Sequence, residues 1–413
     1  MTLRIAWSSN APWTGSGYGV QTAEIVPRLV ADGHEVAILA NYGLAGSIIN
    51  WGNPPVPVLP QGIDAYSNDV HPAQIANHIG DQQHRGLGVT LFDVWVFKAP
   101  QWDEVPLLCW TPIDHNPVTP EVSAFFNRPG RKWALAMSKF GEQALLDSGV
   151  SRERVFYAPH SYDPNIFKPE GETMREQMQI PADAHVTMMN AANKGNTPIR
   201  KCFPENLAAW SEFARRHDDA FLYLHTEASG IASGVNIHRL LKAVGAPEKQ
   251  VRIVPQFEYR MGISAQTVAA LIRSSDVLLA TARGEGFGVP TLEAQATGVP
   301  VIVTNWTASP ELVGHGWIVD GQKEWDEFQA SFWKLPSVDG IIDALEQSYA
   351  LKGDTARLAE ARAASIKFAE PYQTDNVFAT HWRPILGSME TILAEGIKPI
   401  NREQRRAAVR GKR

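Results

Sequence analysis

The segment Arg283-Gly284-Glu285-Gly286-Phe287-Gly288-Val289-Pro290-Thr291-Leu292-Glu293 carries two carboxylates around a glycine-rich turn, and Gly298 follows shortly after. Pro290 suits a first helical position and Gly298 a helix end, so the turn feeds a helix amino terminus. Free backbone N–H groups and the positive dipole end there attract a diphosphate or sugar hydroxyls, and glycine lets a ligand approach the backbone. Glu285 in the turn and Glu293 on the helix are acceptors for vicinal hydroxyl pairs, although either alone would also serve as a cap or a surface carboxylate. A second cluster, Asn193-Lys194-Gly195 through Arg200-Lys201, follows an apolar run. Cations fixed at a strand end neutralise a diphosphate and stabilise it as a leaving group; the plainer reading is a solvated basic loop.

Two further loops belong to the first half of the chain. Thr14-Gly15-Ser16-Gly17-Tyr18-Gly19 lies between an apolar run and a helical stretch. It is either a tight turn or a phosphate loop, but not a dinucleotide fingerprint: the GxGxxG register is missing, and Asn41 stands where an acidic ribose partner belongs. Thr111-Pro112-Ile113-Asp114-His115-Asn116-Pro117 places a carboxylate and an imidazole side by side, as reactive groups or as turn caps before Pro117. No DxD, HxH or HxxxH spacing occurs, so no metal site is expected.

These loops need strands and helices to hold them. Leu3 to Trp7, a helix from about Val20 to Asp32 with Pro27 inside it, and Val36 to Leu39 form a βαβ unit, which predicts a parallel sheet. Strands are read at Val89 to Phe97, Leu107 to Trp110, Trp133 to Met137 and Val155 to Ala158. A polar stretch from Lys168 to Asp183 reads as a linker. A second alternation then runs from His185 to about residue 365, with strands at Ala220 to His225, Val251 to Pro255, Asp276 to Ala280 and Val301 to Thr304. The expected fold is α/β: two doubly wound, Rossmann-like domains, 1–167 and 184–370, whose facing strand ends would share a cleft. Helical spacing returns from Asp375 to Glu395.

Composition fits this plan. The 413 residues are 44% hydrophobic and 20% charged, as in an ordinary folded two-domain chain. Two cysteines, Cys109 and Cys202, give neither a disulfide framework nor a zinc spacing, and a reducing cytoplasm is the expected setting. The net charge of −6 divides into a basic tail and an acidic body, which argues against broad nucleic-acid binding. The tail, 399–413, is expected to be disordered. Charges and prolines interrupt every apolar stretch, so no integral membrane segment is expected. Of 13 tryptophans, seven precede residue 150. Trp13, Trp51 and Trp102 fall in apparent loops and are candidate acceptor contacts through their flat faces.

Taken together, the EGFGVPTLE run, the glycine loop, Ala158-Pro159-His160-Ser161-Tyr162-Asp163 and the closing helix resemble the glycosyltransferase-B fold, in particular the retaining glycosyltransferases of family 4, or glycosyl transferases group 1. The resemblance implies that Glu285 and the backbone of Gly286, Phe287 and Gly288 contact a donor sugar, and that Glu293 binds the ribose of the nucleotide. It places Lys201 on the family's diphosphate lysine, with Lys194 or Arg200 in place of its arginine, and turns Gly15 and Gly17 toward the donor phosphate from the other side. Asp114 or His115 stands where relatives carry a histidine. The catalytic candidates are therefore Lys201, Glu285, Asp114 and His115, and helix 371–398 is expected to return to the first domain. No cofactor is implied beyond a nucleotide-sugar substrate, such as a UDP-, GDP- or ADP-sugar. Base recognition is placed around Val254-Pro255-Gln256. The acceptor stays open among a glycan, a lipid, a protein side chain and a modified nucleobase. A sugar-nucleotide epimerase and a non-catalytic sugar-nucleotide-binding protein are the alternatives; a two-carboxylate glycoside hydrolase leaves the cation cluster unexplained.

Overall fold

Apolar runs flanked by glycine turns form strands buried on both faces, because helices cover each side of a parallel sheet. The computed structural model describes residues 2–195 and 198–396. The expectation for the basic tail, 399–413, falls outside them. The first sheet comprises β1 (Arg4–Ser9), β2 (Glu35–Ala40), β3 (Ile49–Trp51), β4 (Val56–Leu59), β5 (Gly86–Leu91), β6 (Leu107–Thr111), β7 (Lys132–Ala136) and β8 (Val155–Tyr157). Its order is β3-β4-β2-β1-β5-β6-β7-β8, parallel except where edge strand β3 runs against β4. The second contains β9 (His185–Asn190), β10 (Ala220–His225), β11 (Val251–Ile253), β12 (Val277–Leu279), β13 (Val301–Thr304) and β14 (Gly316–Val319), in the order β11-β10-β9-β12-β13-β14. Strand order reverses between β1 and β5 and between β9 and β12, where open sheets accept ligands beyond the strand ends.

A hairpin that the sequence reading did not resolve, β15 (Gly321–Asp326) and β16 (Ser331–Pro336), projects from the second domain. Strand β5 is also shorter than expected. It stops at Leu91, and Val94–Val96 makes a 3-10 turn instead of continuing the strand. The apolar run misleads because Val94, Val96 and Phe97 are buried beneath the sheet with Trp102 and Phe125, so their hydrophobicity serves a packed loop.

The closing helical segment packs on the first domain. Trp382 is fully buried against Trp7 and Trp110, with ring centroids 5.6 and 4.9 Å away. Removing such a ring costs roughly 3–5 kcal/mol in a core that cannot collapse. Outside it, Arg28 pairs with Asp375 at 2.8 Å and Arg383 with Asp32 at 2.6 Å.

Candidate active site

Arg200 and Lys201 sit just before the helix Phe203–Ala214, beyond the end of β9. Asn206, buried in that helix, fixes their loop by donating to the carbonyls of Lys201 (3.2 Å) and Thr281 (3.1 Å), which ties the loop to the segment after β12. Arg283 does the same from the other side. It is buried, donates to the carbonyl of Ile199 at 2.9 Å, and pairs with Glu205 at 3.4 Å and Glu324 of β15 at 2.6 Å. The cation loop and the glutamate loop are therefore one braced unit at the sheet's switch point.

Within that unit Glu285 accepts from both cations: Arg200 Nη1 lies 2.9 Å away and Lys201 Nζ makes a close ion pair. Burial alone would raise the Glu285 pKa, but Arg200 and Lys201 outweigh it and hold the carboxyl below its ordinary range. Burial dominates at Lys201 and lowers its ammonium, partly offset by Glu285. Thr307, in the loop beyond β13, accepts from the Glu285 N–H at 3.0 Å and fixes the backbone. Gly288 opens the helix Val289–Ala296 at φ +120°, a conformation that excludes side chains. On the same helix Glu293 is buried, its carboxyl with no hydrogen bond to another described residue, and burial pushes that carboxyl up to about 8.

Across the cleft stands an acidic wall. Asp114, just after β6, lies 3.9 Å from Arg200 Nε and 2.7 Å from His115 Nδ1. His115 Nε2 reaches Asp326 of the hairpin at 3.2 Å, and its ring stacks on Trp333 with centroids 4.9 Å apart. Burial would lower the His115 pKa, but the carboxylates of Asp114 and Asp326 outweigh it and raise it. Asp93, after β5, lines a recess with Asp114 and Trp95. Burial, and then the charge of Asp114, push the Asp93 carboxyl up to about 7.

The hairpin clamps this wall. Strand alternation puts Glu324, Asp326, Ser331 and Trp333 on one face. Asp326 and Trp333 hold His115, Ser331 donates to the carbonyl of Pro117 at 2.5 Å, and the Asn116 N–H donates to the carbonyl of Phe332 at 3.2 Å. The domains also meet at Gly286, where a Cβ would fall 2.2 Å from Pro112 Cβ, and at Gly284, where it would fall 2.0 Å from the Asp114 carbonyl.

Several expected site residues thus stand together: Arg200, Lys201, Glu285, Asp114 and His115. Others do not. Lys194 is exposed and makes no ion pair among the described residues, so Arg200 is the cation beside Lys201. Gly286 is required here by the approach of Pro112, and the Phe287 ring is buried against His160 and Tyr372. Gly15 and Gly17 have open space where a Cβ would stand, at the start of the helix Gly17–Ala31. The Gln256 side chain is committed to the loop at Thr226 and Ala228.

Two tryptophans are corrected. The Trp102 ring is fully buried, stacked on Phe97 at 4.2 Å, with its Nε1–H donated to Asn68. Trp51 pairs with Val56 at the amino-terminal end of β4, the end remote from the cleft, because β3 runs antiparallel. Trp13 is 44% exposed in the loop after β1. Asp93, Trp95, Asp326 and Trp333 escaped sequence reading. Only the mixed carboxylate and aromatic content of 93–97 and 324–333 hinted at them.

Residues 209–335 match the family described as glycosyl transferases group 1. A curated relative, MMP alpha-(1->4)-mannosyltransferase of Mycolicibacterium hassiacum, is 26% identical over 173 residues, which are 41% of this chain and 36% of that protein. The match thus spans little more than a third of the relative's length. Sucrose-phosphate synthase from Thermosynechococcus elongatus superposes with a TM-score of 0.68 at 15% identity, covering 94% of this chain and 100% of that one. Anabaena HepE in complex with UDP and glucose does so with a TM-score of 0.66 at 15% identity, covering 94% and 100%. The chain has the glycosyltransferase-B fold.

Proposed function

We propose that the protein is a retaining, metal-independent glycosyltransferase that moves a sugar from a nucleotide diphosphate sugar to an acceptor hydroxyl. The observation that carries this reading is the braced pair Arg200 and Lys201 at the switch point of the second sheet, facing Asp114 across the cleft. Two cations held on one carboxylate leave net positive charge where a diphosphate's own charges would be received. The family match over 209–335 and the UDP bound by the HepE neighbour support a nucleotide-sugar donor.

In this mechanism the diphosphate lies on Arg200, Lys201 and the amino terminus of the helix Val289–Ala296, with the ribose hydroxyls donating to Glu293. The acceptor oxygen attacks the anomeric carbon from the face the diphosphate leaves. The bond from that carbon to the diphosphate oxygen breaks, and the acceptor proton passes to the departing phosphate. Retention of configuration follows from same-face attack. Catalysis is then positioning plus electrostatic stabilisation, with the hairpin and the contacts at Gly284 and Gly286 holding the domains around the reaction. Charge neutralisation by Arg200 and Lys201 is why no metal is invoked.

A calorimetric screen of UDP, GDP, ADP and TDP sugars, followed by incubation of the best donor without acceptor, tests the reading. Slow release of free sugar is expected. An altered sugar nucleotide in its place would show an epimerase, and no binding of any donor would remove the proposal.

A further inference from the structure

Beside the reaction centre, the first domain opens a cavity of about 740 Å³ between the loops 64–73 and 95–101. That volume falls within the roughly 300–1,000 Å³ typical of small-ligand sites, enough for more than one sugar ring. Its lining includes Asp64, Tyr66, Asp69, Trp95, Lys98 and Gln101. Asn68 pins the two loops together: its side chain donates to the carbonyl of Val96 at 3.2 Å and accepts from the Lys98 N–H at 3.0 Å and Trp102 Nε1 at 2.8 Å. The cavity is therefore braced by the buried Trp102, not merely bordered by loose loops.

Trp95 lines both this cavity and the recess that holds Asp93 and Asp114, so one ring separates the two. On its other side Trp95 meets Phe328 at the hairpin tip, with ring centroids 5.9 Å apart and Phe328 77% exposed. A ligand in the cavity would reach the recess past Trp95, with the hairpin of the second domain as its far rim.

Chemistry narrows what fits. Flat faces at Tyr66 and Trp95 suit the apolar sides of sugar rings. Asp64 Oδ1 and Asp69 Oδ2 are taken by N–H donors of their own loop, but the second oxygen of each carboxylate and the amide of Gln101 suit hydroxyls. Charge decides the rest: two carboxylates against the single ammonium of Lys98, with Asp93 and Asp114 beyond, disfavour a phosphorylated or carboxylated acceptor. We infer that this cavity is the acceptor site, that it takes a neutral carbohydrate chain rather than a sugar phosphate, and that Trp95 and Phe328 set its specificity. The inference rests on the transferase reading above.

Saturation-transfer NMR on the full-length chain, with maltotriose, mannotriose and cellotriose against glucose 6-phosphate and fructose 6-phosphate, tests it. Binding of at least one neutral trisaccharide is expected, weakened about tenfold or more by Phe328→Ala and by Tyr66→Ala, two exposed positions whose truncation spares the core. Preference for a sugar phosphate, no binding of any neutral chain, or affinity unmoved by both substitutions would overturn it. Donor calorimetry separates the two readings. A chain that binds a nucleotide sugar but no neutral trisaccharide loses only this inference, whereas a neutral trisaccharide bound without any nucleotide sugar leaves the carbohydrate cavity and defeats the transferase.

Discussion

The two walls of the cleft are built on opposite principles. The wall of the second domain gathers Arg200, Lys201 and Glu285 from two loops that follow adjacent strands β9 and β12, with Glu293 on the helix after the second, and Arg200, Lys201 and Glu285 are already paired and braced. The facing wall takes Asp93 from after β5, Asp114 and His115 from after β6, and Asp326 and Trp333 from a hairpin of the other domain. One wall offers fixed positive charge; the other offers Asp93 beside Asp114, whose charge raises the Asp93 carboxyl further. A diphosphate demands the first arrangement. Recognition of acceptor hydroxyls suits the second, because a carboxylate near neutrality both accepts and releases protons.

Breaking the cationic wall should have the largest effect. Lys201→Ala is expected to lower turnover by about 10²–10³-fold, the scale of losing one fixed charge-stabilising donor, measured by single-turnover transfer. Undiminished transfer would move the diphosphate elsewhere. Glu293→Gln comes next: above pH 8, where the carboxyl is ionised, donor affinity should fall about 10- to 100-fold by calorimetry, as for hydrogen bonds to a charged group, with kcat little changed. The same variant has a stability signature. Folded Glu293 holds its proton up to about 8, against an ordinary 4.5, so the native chain binds more protons than the unfolded one in that window. Stability is therefore lost as pH rises from 4.5 to 8, and Glu293→Gln should flatten the profile of Tm against pH and raise Tm at pH 8.

The acidic wall should respond more gently and through pH. Asp93 ionises at about 7. The acceptor KM should rise as pH falls below that value, and Asp93→Asn should remove the dependence at a cost of about tenfold in kcat/KM. A pH profile unchanged in the variant would detach Asp93 from the acceptor. The smallest effect should come from chelation: turnover after EDTA treatment is expected to match the untreated enzyme, since Arg200 and Lys201 supply the positive charge that a metal would otherwise bring.

How far each wall was legible follows from the same contrast. Strands β10 and β13 lie where their apolar patterns predict. The glutamate turn declares itself because Pro290, Gly288 and the two carboxylates fall within one short segment. Asp93 was hidden inside an apolar run read as strand, and Asp326 and Trp333 lie in a polar hairpin whose burial comes from docking on residues 115–117. Trp102 looked like a loop residue; it stands in the 3-10 turn Pro100–Asp103, and its ring serves the core.

The sequence by itself determined the alternation that makes two parallel sheets and the local chemistry of the cationic wall, because βαβ hydrophobic patterns and glycine-turn-helix signals are contiguous in the chain. Tertiary structure alone decided which cation stands beside Lys201, why Gly286 has no side chain, and what completes the acidic wall. Those outcomes depend on strand order and on a hairpin crossing between domains. Each brings together residues separated by tens to hundreds of positions, and no local periodicity encodes such pairings.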